Sequence, residues 1–124
     1  MTQLALREAL DLHSTQLAAV PESVGGLSNL EGLNLSKNEL TTLPDAFAEL
    51  VALRDLQLHE NQLTELPAGF GRLGNLERLS LHQNELIRLP ADMHQLRKLV
   101  ILELQHNRLT TLPGSFGGLH ALRF

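Results

Sequence analysis

Residues 30–52 read LEGLNLSKNELTTLPDAFAELVA, and residues 53–75 read LRDLQLHENQLTELPAGFGRLGN. Laid one over the other without a gap, the two share Leu at row positions 1, 4, 6, 11, 14 and 21, Asn at 9, Pro at 15 and Phe at 18. The same frame divides the chain into rows 7–29, 30–52, 53–75, 76–98 and 99–121. Positions 4, 6 and 11 are Leu in all five rows. With 31 leucines in 124 residues, fifteen hits of fifteen have chance odds of roughly one in a billion, so the period is a structural repeat. Position 15 takes all five prolines, Pro21, Pro44, Pro67, Pro90 and Pro113. Position 9 reads Thr15, Asn38, Asn61, Asn84 and Asn107, and position 18 reads Val24, Phe47, Phe70, Met93 and Phe116.

Each column has a physical task. Leu at positions 4 and 6 is a period of two, which predicts a short strand with its leucines on one face. A buried Asn at position 9 can give both amide protons and its carbonyl to backbone groups at the bend that follows. Stacked asparagines would then form a ladder, with Thr15 as its weak member and row 7–29 the loosest. Proline at position 15 has no N–H and a fixed φ, suiting a return path or the first turn of a short helix, as in 44–50. Positions 18 and 21 bring an apolar pair back to the core. Pro113–Gly118 is too rich in glycine for a stable helix, and a 3₁₀ turn or irregular arc is expected there. No row can bury its own leucines, but stacking buries them and pairs each strand in parallel with the next, about 4.8 Å away.

The pattern LxxLxLxxNxLxxLPxxFxxLxx resembles the leucine-rich repeat family in its 23-residue intracellular class. The resemblance covers essentially the whole chain, with one domain over 1–124. Four rows match apart from Met93 for Phe, and the first departs at Arg7 and Thr15. It implies an α/β fold: a right-handed solenoid with a parallel sheet on the concave side and short helical or 3₁₀ segments on the convex side. It also implies a protein-recognition surface, as members of the class mainly are, alone or beside an enzymatic domain. Similar repeats occur in some bacterial exported effectors.

The frame runs past both ends. Met1 and Leu4 fall on positions 18 and 21 of a preceding row, and Leu122 on position 1 of a following one. We expect partial repeats there, in a fragment of a longer array or in a chain whose last strand a partner covers.

Composition narrows the function. Zero Cys excludes disulfides, zinc–thiolate sites and Cys nucleophiles. No apolar run approaches the ~18 residues of a membrane span, and the start MTQLALREALD carries acids where a signal peptide needs an apolar core. A cytoplasmic location, or an exported effector without disulfides, is expected. Net charge −4 argues against nucleic acid, whose binders carry a basic stripe. Phosphate-loop chemistry fails because Gly25–Gly26 and Gly117–Gly118 lack a following Lys-Ser/Thr. No serine sits in a G-x-S-x-G turn. Carboxylate pairs such as Asp55 with Glu31 or Glu77 would lie on an open wall rather than in a cleft. No enzyme and no cofactor are expected.

Positions 2, 3, 5, 7 and 8 should line the concave face. The candidate contacts are Asp11 and His13 from the first row, Asn34 and Ser36 from the second, and Arg54, Asp55, Gln57 and His59 from the third. Arg78, Ser80 and His82 follow from the fourth, and Ile101, Glu103 and Gln105 from the fifth. Those columns hold seven acids and three Lys/Arg, a face of −4 without an aromatic. It predicts a polar, basic protein partner. His59 and His82 would be neighbours, near enough to titrate as a pair or share a metal with Glu60, but without a metal motif they read as surface histidines. Val100 and Ile101 stand where earlier rows carry charge, so the C-terminal edge could pair between chains. The alternative function is therefore a structural or self-associating unit.

Overall fold

The computed structural model describes residues 8–111, and the glycine-rich arc expected at 113–118 lies outside them, as do Met1, Leu4 and Leu122. Among the described residues the chain forms five strands: β1 (Ala9–Asp11), β2 (Gly32–Asn34), β3 (Asp55–Gln57), β4 (Arg78–Ser80) and β5 (Ile101–Glu103). They form one parallel sheet in sequence order. The register is one row throughout: Leu10 faces Leu33, Leu33 faces Leu56, Leu56 faces Leu79, and Leu79 faces Leu102. A crossover from one parallel strand to the next needs a dozen or more residues, and the remaining twenty of each row supply it.

The ladder outlasts the strands. The N–H at position 6 donates to the carbonyl at position 5 of the next row, as in Leu35 to Gln57 at 2.8 Å and Leu58 to Ser80 at 2.8 Å. The N–H at position 8 donates to the carbonyl at position 7, as in Lys37 to His59 and Glu60 to His82, both 3.0 Å. At position 8 itself, Ser14, Lys37, Glu60, Gln83 and His106 all have φ between 56° and 61°. Every row therefore bends at position 8 through the left-handed region, with a different side chain each time and glycine in none.

Position 9 seals the bend. Asn61 donates from Nδ2 to the carbonyls of Leu35 (3.0 Å), Leu58 (3.1 Å) and His59 (3.4 Å), while Oδ1 accepts from Leu40 N (3.0 Å). Asn84 repeats this one row on with Leu58, Leu81, His82 and Leu63. Asn38, Asn61 and Asn84 are buried, and each ties its own bend to the row before it. Thr15 keeps one of these bonds, its hydroxyl reaching Leu12 O at 2.8 Å. In that row Leu10, Leu12 and Leu17 are only partly buried.

The return path is 3₁₀ rather than α. Turns run over Glu22–Gly26, Asp45–Glu49, Phe70–Arg72 and Ala91–Gln95. Pro44 sits extended before the second (φ −70°, ψ 154°), and its carbonyl accepts from Phe47 N at 3.0 Å. Three residues per turn eclipse positions i and i+3, so Phe47 and Leu50 point together into the core and are fully buried. The turns pack closely row to row. A Cβ on Gly71 would lie 2.4 Å from Asp92 O, and one on Gly25 2.9 Å from Ala46 O. The core is a continuous column of leucines with Phe47, Phe70 and Met93, each buried leucine contributing roughly 1.5–3 kcal/mol over exposure. No helix among the described residues is long and apolar enough to cross a membrane.

Candidate functional site: the sheet face

Strand geometry sorts the face into columns spaced by one row. Position 3 carries Ala9, Gly32, Asp55, Arg78 and Ile101, and position 5 carries Asp11, Asn34, Gln57, Ser80 and Glu103. Much of the charge is internally paired. Arg54 Nε donates to Glu77 Oε2 at 2.7 Å, and its Nη1 lies 3.6 Å from Glu31 Oε1. The hydrogen bond to Glu77 is the main cause that holds the guanidinium above its ordinary pKa. Arg78 Nη2 lies 3.8 Å from Glu103 Oε1. These bridges are partly exposed, so solvent screens them and they add little to stability.

Two of the expected contacts are not on the surface. Ser36 and Ser80 are buried, 3% and 1% exposed. Strands stand about 4.8 Å apart, so a short side chain between longer neighbours is shaded by them. Both hydroxyls are also turned to acceptors on the sheet: Ser36 Oγ donates to Asn34 Oδ1 at 2.7 Å, and Ser80 Oγ to Glu103 Oε1 at 2.6 Å. They hold Asn34 and Glu103 in place instead of meeting a partner. Asp11, His13, Ile101 and Gln105 are exposed, while Asn34, Arg54, Asp55, Gln57, His59, Arg78, His82 and Glu103 are half-buried.

The small residues Ala9 and Gly32 leave a hollow of about 170 Å³ in this face, bordered by Asp11, Asn34, Asp55 and Gln57. The sequence placed Gly32 on the face without marking it; its value lies in the side chain it lacks between β1 and β3. Asp55 is the notable wall residue. Its Oδ1 is buried and has no hydrogen-bond partner. Burial raises its pKa above the ordinary carboxylate value, with Arg78 and Gln57 opposing. Asp11 accepts the backbone N–H of His13 at 3.2 Å and remains exposed.

At position 7, His59 and His82 stack with ring centroids 4.5 Å apart and planes 11° from parallel. Burial lowers the pKa of His59, and His82 beside it acts in the same direction. Nδ1 of each ring is buried and without a hydrogen-bond partner. With Glu60 the two offer ligand atoms within 4.8 Å of one another. Val100 and Ile101 are 40% and 37% exposed.

A family model described as Leucine rich repeat matches residues 8–63, and one described as Leucine-rich repeat region matches residues 45–124. The chain belongs to the leucine-rich repeat family. Among solved structures it is similar to a leucine-rich repeat protein of Leptospira interrogans, at 33% identity and a TM-score of 0.80, over 92% of this chain and 35% of that one. It is also similar to the leucine-rich repeat ectodomain of the plant membrane receptor kinase GASSHO1/SCHENGEN3 from Arabidopsis thaliana, solved in complex with Casparian strip integrity factor 2. That match has 31% identity and a TM-score of 0.85, over 94% of this chain and 14% of the ectodomain. This leucine-rich repeat chain thus spans about a third or less of the length of these two proteins. No curated protein matches it by sequence. Leucine-rich repeat domains are in general protein–protein interaction modules.

Proposed function

We propose that this chain is a non-enzymatic protein-recognition module whose concave face receives a basic side chain of a partner protein in the Gly32 hollow. The observation that carries this reading is Asp55. Its Oδ1 is buried without a donor, and Gln57 and Arg78 offset its burial only in part, so the carboxylate is costly to keep; a partner's guanidinium or ammonium adds a further donor and counter-charge together. Asp11 and Asn34 border the same hollow, and its volume of about 170 Å³ suits the end of one side chain. Zero Cys fits a cytoplasmic setting or export without disulfides.

Peptide binding tests the proposal. Arginine- or lysine-containing peptides bind in preference to acidic ones, and the affinity falls with salt. Asp55→Asn weakens binding by about tenfold or more, in line with the roughly 1.5–3 kcal/mol of a charged hydrogen bond. Equal binding of acidic peptides would remove this reading. Adjacent exposure of Val100 and Ile101 favours a second reading, self-association along β5. In that case Ile101→Lys shifts sedimentation toward monomer, and a wild-type chain that is monomeric at high concentration disposes of it.

A further inference from the structure

We propose that His59, Glu60 and His82 form a binding site for a divalent transition-metal ion of the zinc class. The repeat itself makes the site. Equal positions in successive rows stand one strand apart, so the two imidazoles are brought face to face with centroids 4.5 Å apart. Glu60 follows His59 at the left-handed bend, with φ 58°. One ring nitrogen from each histidine and a carboxylate oxygen of Glu60 lie within 4.8 Å of one another.

Two observations point to an ion rather than to a simple stack. Nδ1 of His59 and Nδ1 of His82 are each buried without a hydrogen-bond partner, so two orphaned polar atoms occur in one place. An uncharged ring must then leave a donor or a lone pair unsatisfied at each, and an ion takes the lone pair. The donor set, two imidazoles and a carboxylate, suits Zn²⁺, Ni²⁺ or Cu²⁺ and not the all-oxygen preference of Mg²⁺ or Ca²⁺. As they stand, the near-parallel rings direct their lone pairs side by side. Meeting at one ion requires a ring to swing about χ2, a soft torsion for histidine, and neither residue is fully buried. Three protein ligands leave further coordination positions open to water or a partner's side chain.

Calorimetric titration of the untagged chain with ZnCl₂, above the imidazole titration range, tests the proposal. One Zn²⁺ binds per chain, and ring NMR resonances of His59 and His82 shift together. His59→Ala and His82→Ala each weaken binding by at least about tenfold, the lower end of what losing even a supporting residue costs a metal site. Glu60→Gln weakens it less, and His13→Ala leaves it unchanged. Far-UV circular dichroism checks that each variant is folded, and His59→Gln replaces His59→Ala if that variant is not. No binding up to about 1 mM Zn²⁺, or binding that survives both histidine substitutions undiminished, overturns the site.

Discussion

Asn61 Nδ2 donates to the carbonyl of Leu35, twenty-six residues earlier in the chain, at 3.0 Å. This bond crosses from one coil to the one before, while the bond from the same nitrogen to Leu58 O closes its own bend. Asn61→Ala removes both and also strands the N–H of Leu40, which now donates to Asn61 Oδ1. Left buried and unsatisfied, such groups cost about 1–3 kcal/mol each. The exposed neighbour Gln62 makes the control. Chemical denaturation should place Asn61→Ala well below Gln62→Ala, and equal midpoints would mean that the ladder adds nothing to stability.

Leu58 is fully buried in the middle row, between Leu35 and Leu81 of the flanking rows. Leu58→Ala opens a cavity that two rows share and should lower stability by roughly 2–5 kcal/mol. Gln57→Ala, one residue away on the opposite face, loses only its hydrogen bond to Asp55 and should cost clearly less, about 0.5–1.5 kcal/mol. Thermal melts of the two variants check the alternation directly.

Position 8 offers a backbone test. Gln83 has φ 57°, a region that costs an L-residue roughly 1–2 kcal/mol. Gln83→Gly removes that strain but adds the entropy of a freer unfolded chain, roughly 0.5–1 kcal/mol, so the net change should lie between about zero and a gain of about 1.5 kcal/mol. Gln83→Val puts a branched Cβ into the same bend and should be destabilising by about 1–3 kcal/mol. A valine variant as stable as the glycine variant would contradict the bend.

Asp55 carries a raised pKa because burial disfavours its charge. The folded state therefore holds this proton more tightly than the unfolded state, and stability falls as pH rises from the ordinary carboxylate value through the folded one. Asp55→Asn should raise the melting temperature at neutral pH, with the gain shrinking as pH falls through the raised value and gone below the ordinary carboxylate value of about 4. A loss of stability at neutral pH would show that Asp55 is well paired in the free protein. Together with weaker binding of basic peptides, the gain would mark Asp55 as a residue that serves recognition at the expense of stability.

The strand register and the asparagine ladder were legible because each depends on one column of identical residues. Leu33, Leu56 and Leu79 must share a face once the period is fixed, and Asn38, Asn61 and Asn84 must share a bend. The left-handed residues were not legible. Lys37, Glu60 and Gln83 carry none of the glycine or asparagine that marks such a conformation, and the bend is imposed by the asparagine that follows and by the ladder bond from their own N–H. Burial of Ser36 and Ser80 was hidden for another reason: shading depends on the lengths of neighbouring side chains one strand away, which a single row does not display. The Gly32 hollow belongs to the same class, since it exists only between Ala9 and Asp55. The convex glycines are similar, because Gly71 is required by the approach of Asp92 from the next row.

Entry of a partner's basic side chain into the Gly32 hollow on the sheet face can be seen by ¹H–¹⁵N NMR with an arginine-containing peptide. The largest shifts should fall on Asp11, Gly32, Asn34, Asp55 and Gln57 and be lost in Asp55→Asn at the same peptide concentration. Shifts centred instead on the convex turns at 45–49 and 91–95, or a spectrum that the peptide leaves unchanged, would contradict it.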